Sequence, residues 1–549
     1  MKQYYLYIAL GLFLTGCTLN EDPRDQTSEE DVYTNADALY LNTVATLYNY
    51  IGGSTDGEGI QGTCRGIYDL QTFGSDEAMV PIRGTDWYDG GTWVDLYRHS
   101  WDDGHEMPKN AWLYLYKVIT LSNRSIELLD DYKSLLTPEE LTSYTSEVRA
   151  LRAICYWYLL DLFARVPIIT SSDVSRHQLT QSERSEVFRF VVSELQATCD
   201  NLVIESSAKP GDYYGRVTRP VVFFVLAKLM LNAEVYTDDD WTDGIRPDGS
   251  EMQFNIEGQT MNAWEATIYY CDLLENCGFT LEDSYADNFK VLNENSNENI
   301  WTIFMDKDLY YNIQDCFYRS WHYRHADAYG FTGENGACAT KRVLEIFKYD
   351  TDEEDTRFFQ NYWAGVVYDY NHEVVYDRNG NPFIYYPWEV DLDLSGSPYV
   401  ETAGARMKKY EVDKNATKNG RLMDNDIVLF RYADVLLMRA EAKFRLGGAS
   451  CATGQSGITA QQDFDAVRHR VGMPHRDITL QNLLDERLME LCWEGWRRQD
   501  LIRFNQFESL FNGDAYDAKV YESDGHTALY PIPADVMTLN HNMVQNPGY

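Results

Sequence analysis

Apolar residues recur along most of the chain at the three- and four-residue steps of an α-helix. Between residues 147 and 163 one helix face would carry Val148, Leu151, Cys155, Tyr158, Leu159 and Leu162. This pattern stops near Val166 and Pro167, because a proline ring cannot continue a helix. A second apolar helix face is predicted in 425–446, where small alanines would let a neighbouring helix approach closely. Both patterns therefore predict helices that pack against other helices.

Similar periodicity predicts helices in both halves of the chain. The predicted stretches are about 29–50, 109–130, 138–163, 183–202, 218–236, 262–276, 340–348, 425–446, 460–471 and 478–504. Successive helices joined by short turns are typical of tetratricopeptide packing, although no clean repeat of that length is present. We expect a mostly α fold of such helix pairs in one compact body, with an N-terminal helical region in 17–300 and a C-terminal region in 301–549.

Long segments rich in glycine and aromatic residues separate the predicted helices. They are 52–106, 237–260, 305–338 and 361–423. Short β-like runs occur in the last of them, near 365–370, 373–376 and 383–386. Long loops on a rigid scaffold commonly carry function. We therefore expect minor β elements and the functional residues in these loops.

The first residues have the features of an export signal. The apolar run Tyr4–Leu14 is too short to span a bilayer. The sequence LTGC that follows resembles a bacterial lipobox, so we expect removal of residues 1–16 and lipidation of Cys17. An ordinary signal peptide with a chance cysteine is the alternative. Lipid on Cys17 would hold the protein to a membrane, and the acidic run Asn20–Asp22 resembles the surface-export signal of Bacteroidetes lipoproteins.

Composition and charge exclude some classes of function. The 549 residues include 47 basic and 86 acidic side chains, a formal net charge of -39. A surface this negative repels phosphate backbones, so we expect no nucleic-acid partner. The 41 tyrosines offer flat rings with a hydroxyl group, which suit binding surfaces as well as cores. The ten cysteines are scattered without a CxxC pair, which predicts neither a zinc site nor a disulfide framework.

A series of fragments in fixed order resembles the SusD/RagB family of outer-membrane nutrient-binding lipoproteins. After the lipobox these fragments are 74–77 (GSDE), 147–153 (EVRALRA), 162–167 (LFARVP), 215–218 (GRVT), 232–236 (NAEVY), 430–442 (FRYADVLLMRAEA), 486–503, 530–533 (YPIP) and 545–549 (QNPGY). Each fragment alone is a weak signal, but together and in this order they are highly specific. Family members usually have a glycine near Ala164 and Arg165, and this chain departs from the pattern there.

The resemblance implies a helical body of tetratricopeptide-like pairs, anchored by lipid at the cell surface of the outer membrane. It also implies a partner, a SusC-like TonB-dependent transporter, which receives captured oligosaccharide or polysaccharide. Some relatives carry peptide, so the peptide-binding lid of a RagB-like importer is an alternative, and a surface glycoside hydrolase is a third. No catalysis is implied, and we predict no cofactor.

Binding a sugar requires flat aromatic rings for its C–H faces and polar groups for its hydroxyls. The stretches 82–93 and 318–324 combine both, and in relatives loops from these two regions contribute to the ligand surface. The predicted ligand-binding residues are Arg83, Trp87, Tyr88, Trp93, Tyr318, Trp321 and Tyr323. The alternative for each aromatic residue is that it covers a helix end and meets no ligand. A third aromatic run, 385–388, is interpreted as structural.

Motifs that could indicate dinucleotide or metal binding give weaker signals than the aromatic stretches. Residues 57–62 match G-x-G-x-x-G, but a predicted helix precedes them and a loop follows, which does not suit a dinucleotide fold. His322 and His325 are spaced like metal ligands but lack a third ligand. Asp391 begins a run similar to a calcium loop whose closing position is Thr402, so a polar turn is the better interpretation. We therefore predict no metal site.

Glu486, Glu490 and Glu494 lie on one face of a predicted helix. Steps of about 6 Å overlap the carboxylate spacing of retaining glycosidases, so spacing alone does not exclude an enzyme. Interleaved arginines would pair with these carboxylates and lower their pKa, which is the wrong direction for a general acid. The arginines are Arg487, Arg497, Arg498 and Arg503. We predict an ion-pair ladder with no catalytic residue, and similar structural contacts for Asp434 and Glu441.

Overall fold

The computed structural model describes residues 32–61, 63–308, 316–507 and 525–549. The predicted signal peptide and the lipidation residue Cys17 lie outside these residues. The described chain is mostly helical with small sheets, and one large core joins side chains from Leu39 to Met543. The predicted fold class is therefore confirmed. Within the described ranges, no helix has both the length and the hydrophobicity of a membrane span.

The first half of the chain follows the predicted helical stretches closely. Its helices are α1 Ala36–Tyr40, α2 Thr46–Gly52, α3 Ile67–Thr72, α4 Thr92–Arg98, α5 Glu106–Asp131, α6 Pro138–Phe163, α7 Arg184–Cys199, α8 Arg219–Leu231, α9 Ala233–Tyr236 and α10 Ala263–Asn276. A π-helical turn joins α1 to α2. Helices α3 and α4 lie within the segment 52–106, which the sequence predicted as a loop. They were not predicted because helices of so few turns show no clear hydrophobic periodicity.

Two of the helices predicted in the second half have other limits in the structure, and four short helices, in 316–320, 323–328, 358–361 and 534–539, were not predicted. Its helices are α11 Cys316–Ser320, α12 Tyr323–Ala328, α13 Lys341–Ile346, α14 Phe358–Asn361, α15 Tyr432–Gly447, α16 Ala460–Arg470, α17 Leu480–Leu491, α18 Arg497–Arg503 and α19 Ala534–Leu539. Residues 427–431 form a strand, not the first turns of α15. The predicted helix 478–504 is divided by a turn in which Trp493 and Gly495 have φ of 63° and 75°. A left-handed backbone of this kind interrupts an α-helix.

Long helices that are neighbours in the fold pack in pairs. Helix α5 packs on α6, α6 on α7, α8 on α10, α10 on α15, and α15 on α16. The inner faces of these helices supply most of the main core. This arrangement agrees with the predicted packing of helix pairs.

Helix α6 shows how local sequence sets the limits of an element. At its start, the backbone N–H of Thr137 donates to the Glu140 carboxylate and the N–H of Glu140 donates to the Thr137 hydroxyl. This reciprocal capping box satisfies two N–H groups that have no partner inside the helix. The helix ends at Ala164, which has φ 57° and ψ −79°. Glycine is the residue favoured in such a backbone, so alanine at the point of departure from the family pattern is strained.

The strands form small antiparallel pairs. The described pairs are β1 Ala78–Met79 with β5 Cys338–Ala339, β2 Phe254–Ile256 with β3 Gln259–Met261, β4 Asn299–Ile303 with β10 Ile427–Arg431, β6 Tyr362–Trp363 with β9 Arg406–Met407, and β7 Gly365–Val366 with β8 Ile384–Tyr385. The register of β7 and β8 places Val366 opposite Ile384, which confirms two of the three β-like runs predicted in this loop; the third, 373–376, forms isolated bridges through Val374 and Tyr376. The pair β1–β5 joins the first long loop to the third.

Candidate ligand-binding surface

The first predicted ligand stretch follows β1 and folds as a tight hairpin. The backbone N–H groups of Arg83 and Asp86 each donate to the carbonyl oxygen of the other residue, at 3.0 and 3.2 Å. Gly84 in the turn has φ 71°, a conformation that two-residue hairpin turns require. Trp87 also has a positive φ, 62°. The chain turns again after it, and Tyr88 is left 57% exposed.

Arg83 holds three loops together. Its guanidinium donates to the carbonyl oxygens of Val400 and Ala403, both at 3.0 Å, and of Gly336 at 3.3 Å. The residue is 5% exposed. Burial, assisted by the neighbouring Arg406, lowers the pKa of Arg83 to about 9. This placement argues against the predicted ligand contact, because main-chain oxygens already occupy the donors.

Three of the predicted aromatic residues belong to the core. Trp93 and Trp321 are each 1% exposed, and Tyr318 is 3% exposed. Trp93 donates its indole N–H to the carboxylate of Asp89 at 3.0 Å, and Trp321 donates to the carbonyl oxygen of Met407 at 2.7 Å. The Tyr318 hydroxyl donates to the carbonyl oxygen of Gly420 at 2.6 Å. Their burial argues against ligand contact and agrees with the alternative of a packing role.

Trp87 and Tyr323 lie at the rim of the loops. Trp87 is half-buried, donates to the carbonyl oxygen of Glu334 at 2.8 Å, and fills the space where Gly336 has no side chain. Tyr323, at the start of α12, is 44% exposed and donates a 2.6 Å hydrogen bond to the carboxylate of Asp86. Burial and this carboxylate raise the pKa of Tyr323 to about 12. The structure thus brings the two predicted stretches into contact.

The aromatic run 385–388 contributes to the surface as well as to the core. Tyr385 is 1% exposed, and its hydroxyl accepts a hydrogen bond from the backbone N–H of His322 at 3.0 Å. Tyr386, by contrast, is 38% exposed, and its ring lies 4.9 Å from that of Tyr399. The sequence interpretation of the run 385–388 as structural fits Tyr385, whereas Tyr386 reaches the surface. Successive side chains of a strand point to opposite faces, and this alternation is the signal that separates the two tyrosines.

We define the loop surface as the rim that these three loops form together. It consists of Asp86, Trp87, Tyr88, Tyr323, Arg324, Tyr386, Tyr399 and Glu401. Glu401, whose side chain is 68% exposed, lies 3.4 Å from the ring of His322 and so borders α12. The loop surface therefore combines aromatic rings with carboxylates and one guanidinium. This combination can cover the C–H faces of a sugar and bond to its hydroxyl groups.

His322 and His325 lie in the core beneath the loop surface. His325 stacks on Trp321 with ring centroids 4.1 Å apart. Burial, followed by the positive charge of Arg406, lowers the pKa of His322 to about 3. Glu401 acts in the opposite direction, but water screens its exposed carboxylate. Both histidines are therefore neutral packing residues.

The remaining motifs also have structural places. Asp393 accepts a hydrogen bond from the backbone N–H of Ser395 at 2.9 Å, as a polar turn requires. Gly57 and Gly59 lie in the loop between α2 and α3, so the element directly before them is a helix and not a strand. Among the residues that the structure describes, no group of three His, Cys, Asp or Glu side chains could hold a metal ion.

The glutamates on α17 form buried ion pairs, although with partners that the sequence did not indicate. Glu490 pairs with Arg357 at 2.8 Å, with Arg431 at 2.5 Å, and with Arg470. Burial alone would raise the pKa of Glu490, but these three guanidiniums hold it well below its usual range. Glu490 is fully buried. A deprotonated and inaccessible carboxylate cannot serve as the general acid of a glycosidase.

The interleaved arginines pair elsewhere in the fold. Arg487 pairs with Asp434 and Asp500, Arg497 with Asp76, Arg498 with Asp161, and Arg503 with Glu441. The predicted pairing with the ladder is wrong because the turn at 493–495 ends α17, so three of these arginines lie on α18. The structural contacts predicted for Asp434 and Glu441 are confirmed.

Larger cavities lie apart from the loop surface. One of about 480 Å³ is lined by residues that include Tyr40, Asp212 and Phe304, and one of about 440 Å³ by residues that include Tyr116 and Leu539. No residue of the loop surface lines either cavity. The loop surface is therefore separate from these two cavities.

Comparison with known sequences agrees with this architecture. The profile of the SusD family matches residues 264–549, and a profile described as "Starch-binding associating with outer membrane" matches residues 74–231. Starch-binding protein SusD of Bacteroides thetaiotaomicron is 25% identical over 534 residues, which cover 91% of this chain and 89% of that protein. SusD-like protein P25 of Formosa agariphila is 24% identical, with 72% of this chain and 70% of that protein covered.

Solved structures share the fold over almost the whole chain. A laminarin-binding SusD-like protein is 20% identical with a TM-score of 0.67, covering 94% of this chain and 100% of that one. Surface glycan-binding protein A from Bacteroides thetaiotaomicron, solved in complex with laminarihexaose, is 18% identical with a TM-score of 0.68, covering 93% and 100%. At these identities the likeness concerns the fold alone. Because the first profile spans more than half of the chain and the same fold extends over the rest, the chain belongs to the SusD family.

Proposed function

We propose that this protein is a cell-surface lipoprotein that binds oligosaccharides or polysaccharide and delivers them to a SusC-like TonB-dependent transporter in the outer membrane. The observation that carries the proposal is the loop surface, which combines the exposed rings of Tyr88, Tyr323 and Tyr386 with the carboxylates of Asp86 and Glu401. Two relatives support carbohydrate as the class of ligand, since one is named as starch-binding and another as laminarin-binding.

Capture rests on stacking and hydrogen bonding at a surface that is already assembled. The rings of Tyr88, Tyr323 and Tyr386 cover the apolar faces of sugar units, while Asp86 and Glu401 accept hydrogen bonds from hydroxyl groups. Arg83 fixes three loops and the Tyr323–Asp86 bond fixes two of them. Little ordering is then needed when ligand binds, and this lowers the entropic cost of binding.

The protein acts in this proposal by binding, without changing its ligand. The three glutamates whose spacing resembles that of a glycosidase are at most 3% exposed and paired with buried cations. That arrangement favours a structural ladder over a hydrolase. Assays for reducing sugar released from starch or laminarin should therefore give the same background with wild type and with Glu490→Gln.

Membrane attachment through Cys17 is the second part of the proposal. Radiolabelled palmitate should attach to the exported protein and should not attach to Cys17→Ala. Wild type should remain with the outer membrane after cell fractionation, and the variant should be soluble. Equal labelling or equal fractionation of the two would overturn the anchor.

The ligand surface is tested by affinity electrophoresis in gels that contain starch or laminarin. Tyr88→Ala, Tyr323→Ala and Tyr386→Ala each remove one exposed ring, and each should weaken retention by roughly tenfold, which corresponds to about 1.4 kcal/mol. Tyr269→Ala on α10 is the matched control, because it removes a half-exposed tyrosine outside the three loops. Unchanged retention in all three variants would show that the loop surface is not the ligand-binding site. Binding of peptides but not of glycans in calorimetry would favour the peptide importer instead.

A further inference from the structure

Two arginines approach the ring of one tryptophan in a part of the fold that contributes nothing to the loop surface. The guanidinium carbons of Arg165 and Arg184 lie 5.5 and 5.8 Å from the ring centroid of Trp241. Arg184 is the first residue of α7, and Arg165 follows the end of α6. Trp241 lies in the long loop after α9. Three elements that are distant in sequence therefore converge on this ring.

Arg184 is buried without a counter-ion. The residue is 3% exposed, yet it forms no ion pair with any residue that the structure describes, and its Nε atom has no hydrogen-bond partner there. Its close contacts are the rings of Tyr236 and Trp241. Burial lowers the pKa of Arg184 to about 10. A buried guanidinium is costly unless it is paired, so this one indicates a missing partner.

The surrounding donors are also unused. The Nε atom of Arg165 and the indole N–H of Trp241 are buried and have no hydrogen-bond partner in the described parts of the chain. Another N–H group of the Arg165 guanidinium donates to the carbonyl oxygen of Gln545, at 3.3 Å. Buried donors from Arg165, Arg184 and Trp241 are thus left open around a single ring.

Nearby carboxylates do not fill this place. Asp161 accepts hydrogen bonds from Arg498 at 2.9 Å and from Tyr236 at 2.8 Å. Asp239 accepts from the backbone N–H and the hydroxyl of Ser185, both at 2.8 Å. Asp238 accepts from the backbone N–H of Asp240 at 3.1 Å. Asp161 and Asp238 attract Arg184 only from beyond contact distance.

We propose that Arg165, Arg184 and the indole N–H of Trp241 form a binding site for a small oxyanion, namely sulfate, phosphate or a carboxylate. Guanidinium groups bind such anions with paired N–H donors in a plane, and an indole N–H adds a single donor. In a chain of net charge -39, a site without a contacting carboxylate is where an anion would be retained. The oxyanion is either a free ion or an acidic group carried by a larger glycan. The site is independent of the loop surface.

Calorimetric titration with sodium sulfate, sodium phosphate and sodium acetate tests the site, with sodium chloride at equal ionic strength as reference. Wild type should bind one oxyanion with a saturable heat. Arg184→Gln should weaken binding at least tenfold, and Trp241→Phe, which keeps a ring but removes the donor, at least threefold. Arg342→Gln removes a half-exposed arginine on α13 and should leave the affinity unchanged. Absence of saturable binding, or equal affinity in all four proteins, would overturn the proposal.

Substitution of a buried arginine can impair folding, so each variant is first checked by circular dichroism. If Arg184→Gln does not fold, Trp241→Phe and Arg165→Gln carry the test. Titration with sulfated, uronate-containing and neutral oligosaccharides then identifies the source of the anion. A glycan-borne group should bind wild type and Arg342→Gln equally and Trp241→Phe more weakly. Binding of inorganic anions but not of acidic oligosaccharides assigns the site to a free ion. This conclusion does not depend on whether the loop surface binds glycan.

Discussion

The hydroxyl group of Tyr323 donates a 2.6 Å hydrogen bond to the carboxylate of Asp86, which is 237 residues away in sequence. The bond connects the start of α12 to the hairpin after β1. Because both side chains are exposed, it contributes little to global stability. Its main effect is to hold one aromatic ring of the loop surface in a fixed direction.

Tyr323→Phe removes this hydroxyl and keeps the ring. We expect retention on starch or laminarin to weaken by roughly threefold, about 0.7 kcal/mol, because the ring is no longer held in place. The free energy of unfolding in urea should change by less than about 1 kcal/mol. Tyr323→Ala is the comparison. If Tyr323→Phe binds as well as wild type, the bond to Asp86 does not orient the ring.

Glu490→Gln should destabilise the fold strongly. The substitution leaves Arg357, Arg431 and Arg470 with one carboxylate fewer in a fully buried network. Breaking a buried pair in this way costs about 3–5 kcal/mol, measured as the change in the free energy of unfolding in urea.

The control for the buried network is Glu345→Gln, which breaks an exposed pair with Arg342. This control should cost less than about 0.5 kcal/mol. Similar losses of unfolding free energy in Glu490→Gln and Glu345→Gln would show that the buried ion pairs stabilise the fold no more than the exposed pair does.

His322 should make the fold less stable in acid. Its pKa is about 3 in the folded protein, below the ordinary value of 6.5, so the unfolded chain binds more protons between these two values. Stability is therefore complete above pH 6.5 and falls as the pH falls toward 3. From pH 7 to pH 5 the loss is about 2 kcal/mol.

Urea unfolding at pH 7 and pH 5 measures this loss, and His322→Asn should reduce it. His325, whose pKa burial lowers well below its ordinary value, acts in the same direction and remains in the variant. Asp426 acts oppositely, because burial raises its pKa to about 6, and it also remains. An unchanged difference between the two pH values in His322→Asn would contradict the assignment.

Ala164→Gly should stabilise the protein by about 1 kcal/mol. The φ of 57° at Ala164 is costly for a residue with a side chain, by about 1–3 kcal/mol. Loss of the buried methyl group opposes this gain by about 0.8 kcal/mol. Ala150→Gly, in the middle of α6, is the control and should destabilise by about 1 kcal/mol or more. Thermal and urea unfolding measure both, and destabilisation by Ala164→Gly would show that the backbone there is not strained.

The sequence predicted the long amphipathic helices well because their apolar faces extend over many turns. Helices α5, α6 and α10 begin and end within a few residues of the predicted bounds. The strand at 427–431 was not separated from α15, since a short apolar run fits a buried strand and a buried helix equally. The turn after α17 depends on a distant contact: the N–H of Trp493 donates to the carboxylate of Glu77.

The candidate surface could be located from sequence, but its exposed residues could not. Both predicted stretches meet, yet Trp93 and Trp321 are buried while Tyr88 and Tyr323 are exposed. All four are aromatic residues in segments that the sequence predicted as loops of similar composition. Which of them faces water is decided by packing between loops, and this packing depends on contacts between residues that are hundreds of positions apart.

The contacts of Arg83 have a practical consequence for changing what this protein recognises. Its three oxygen partners in the other two loops, at Gly336, Val400 and Ala403, are main-chain carbonyl oxygens, and its only side-chain hydrogen bond that the structure describes is to the sulfur of Cys338 at 3.6 Å. Every type of amino acid supplies that oxygen, so side chains along these loops can be exchanged without dismantling the anchor. Libraries that vary Tyr88, Tyr323 and Tyr386 should accordingly yield folded receptors with new specificities, while Arg83 must be kept.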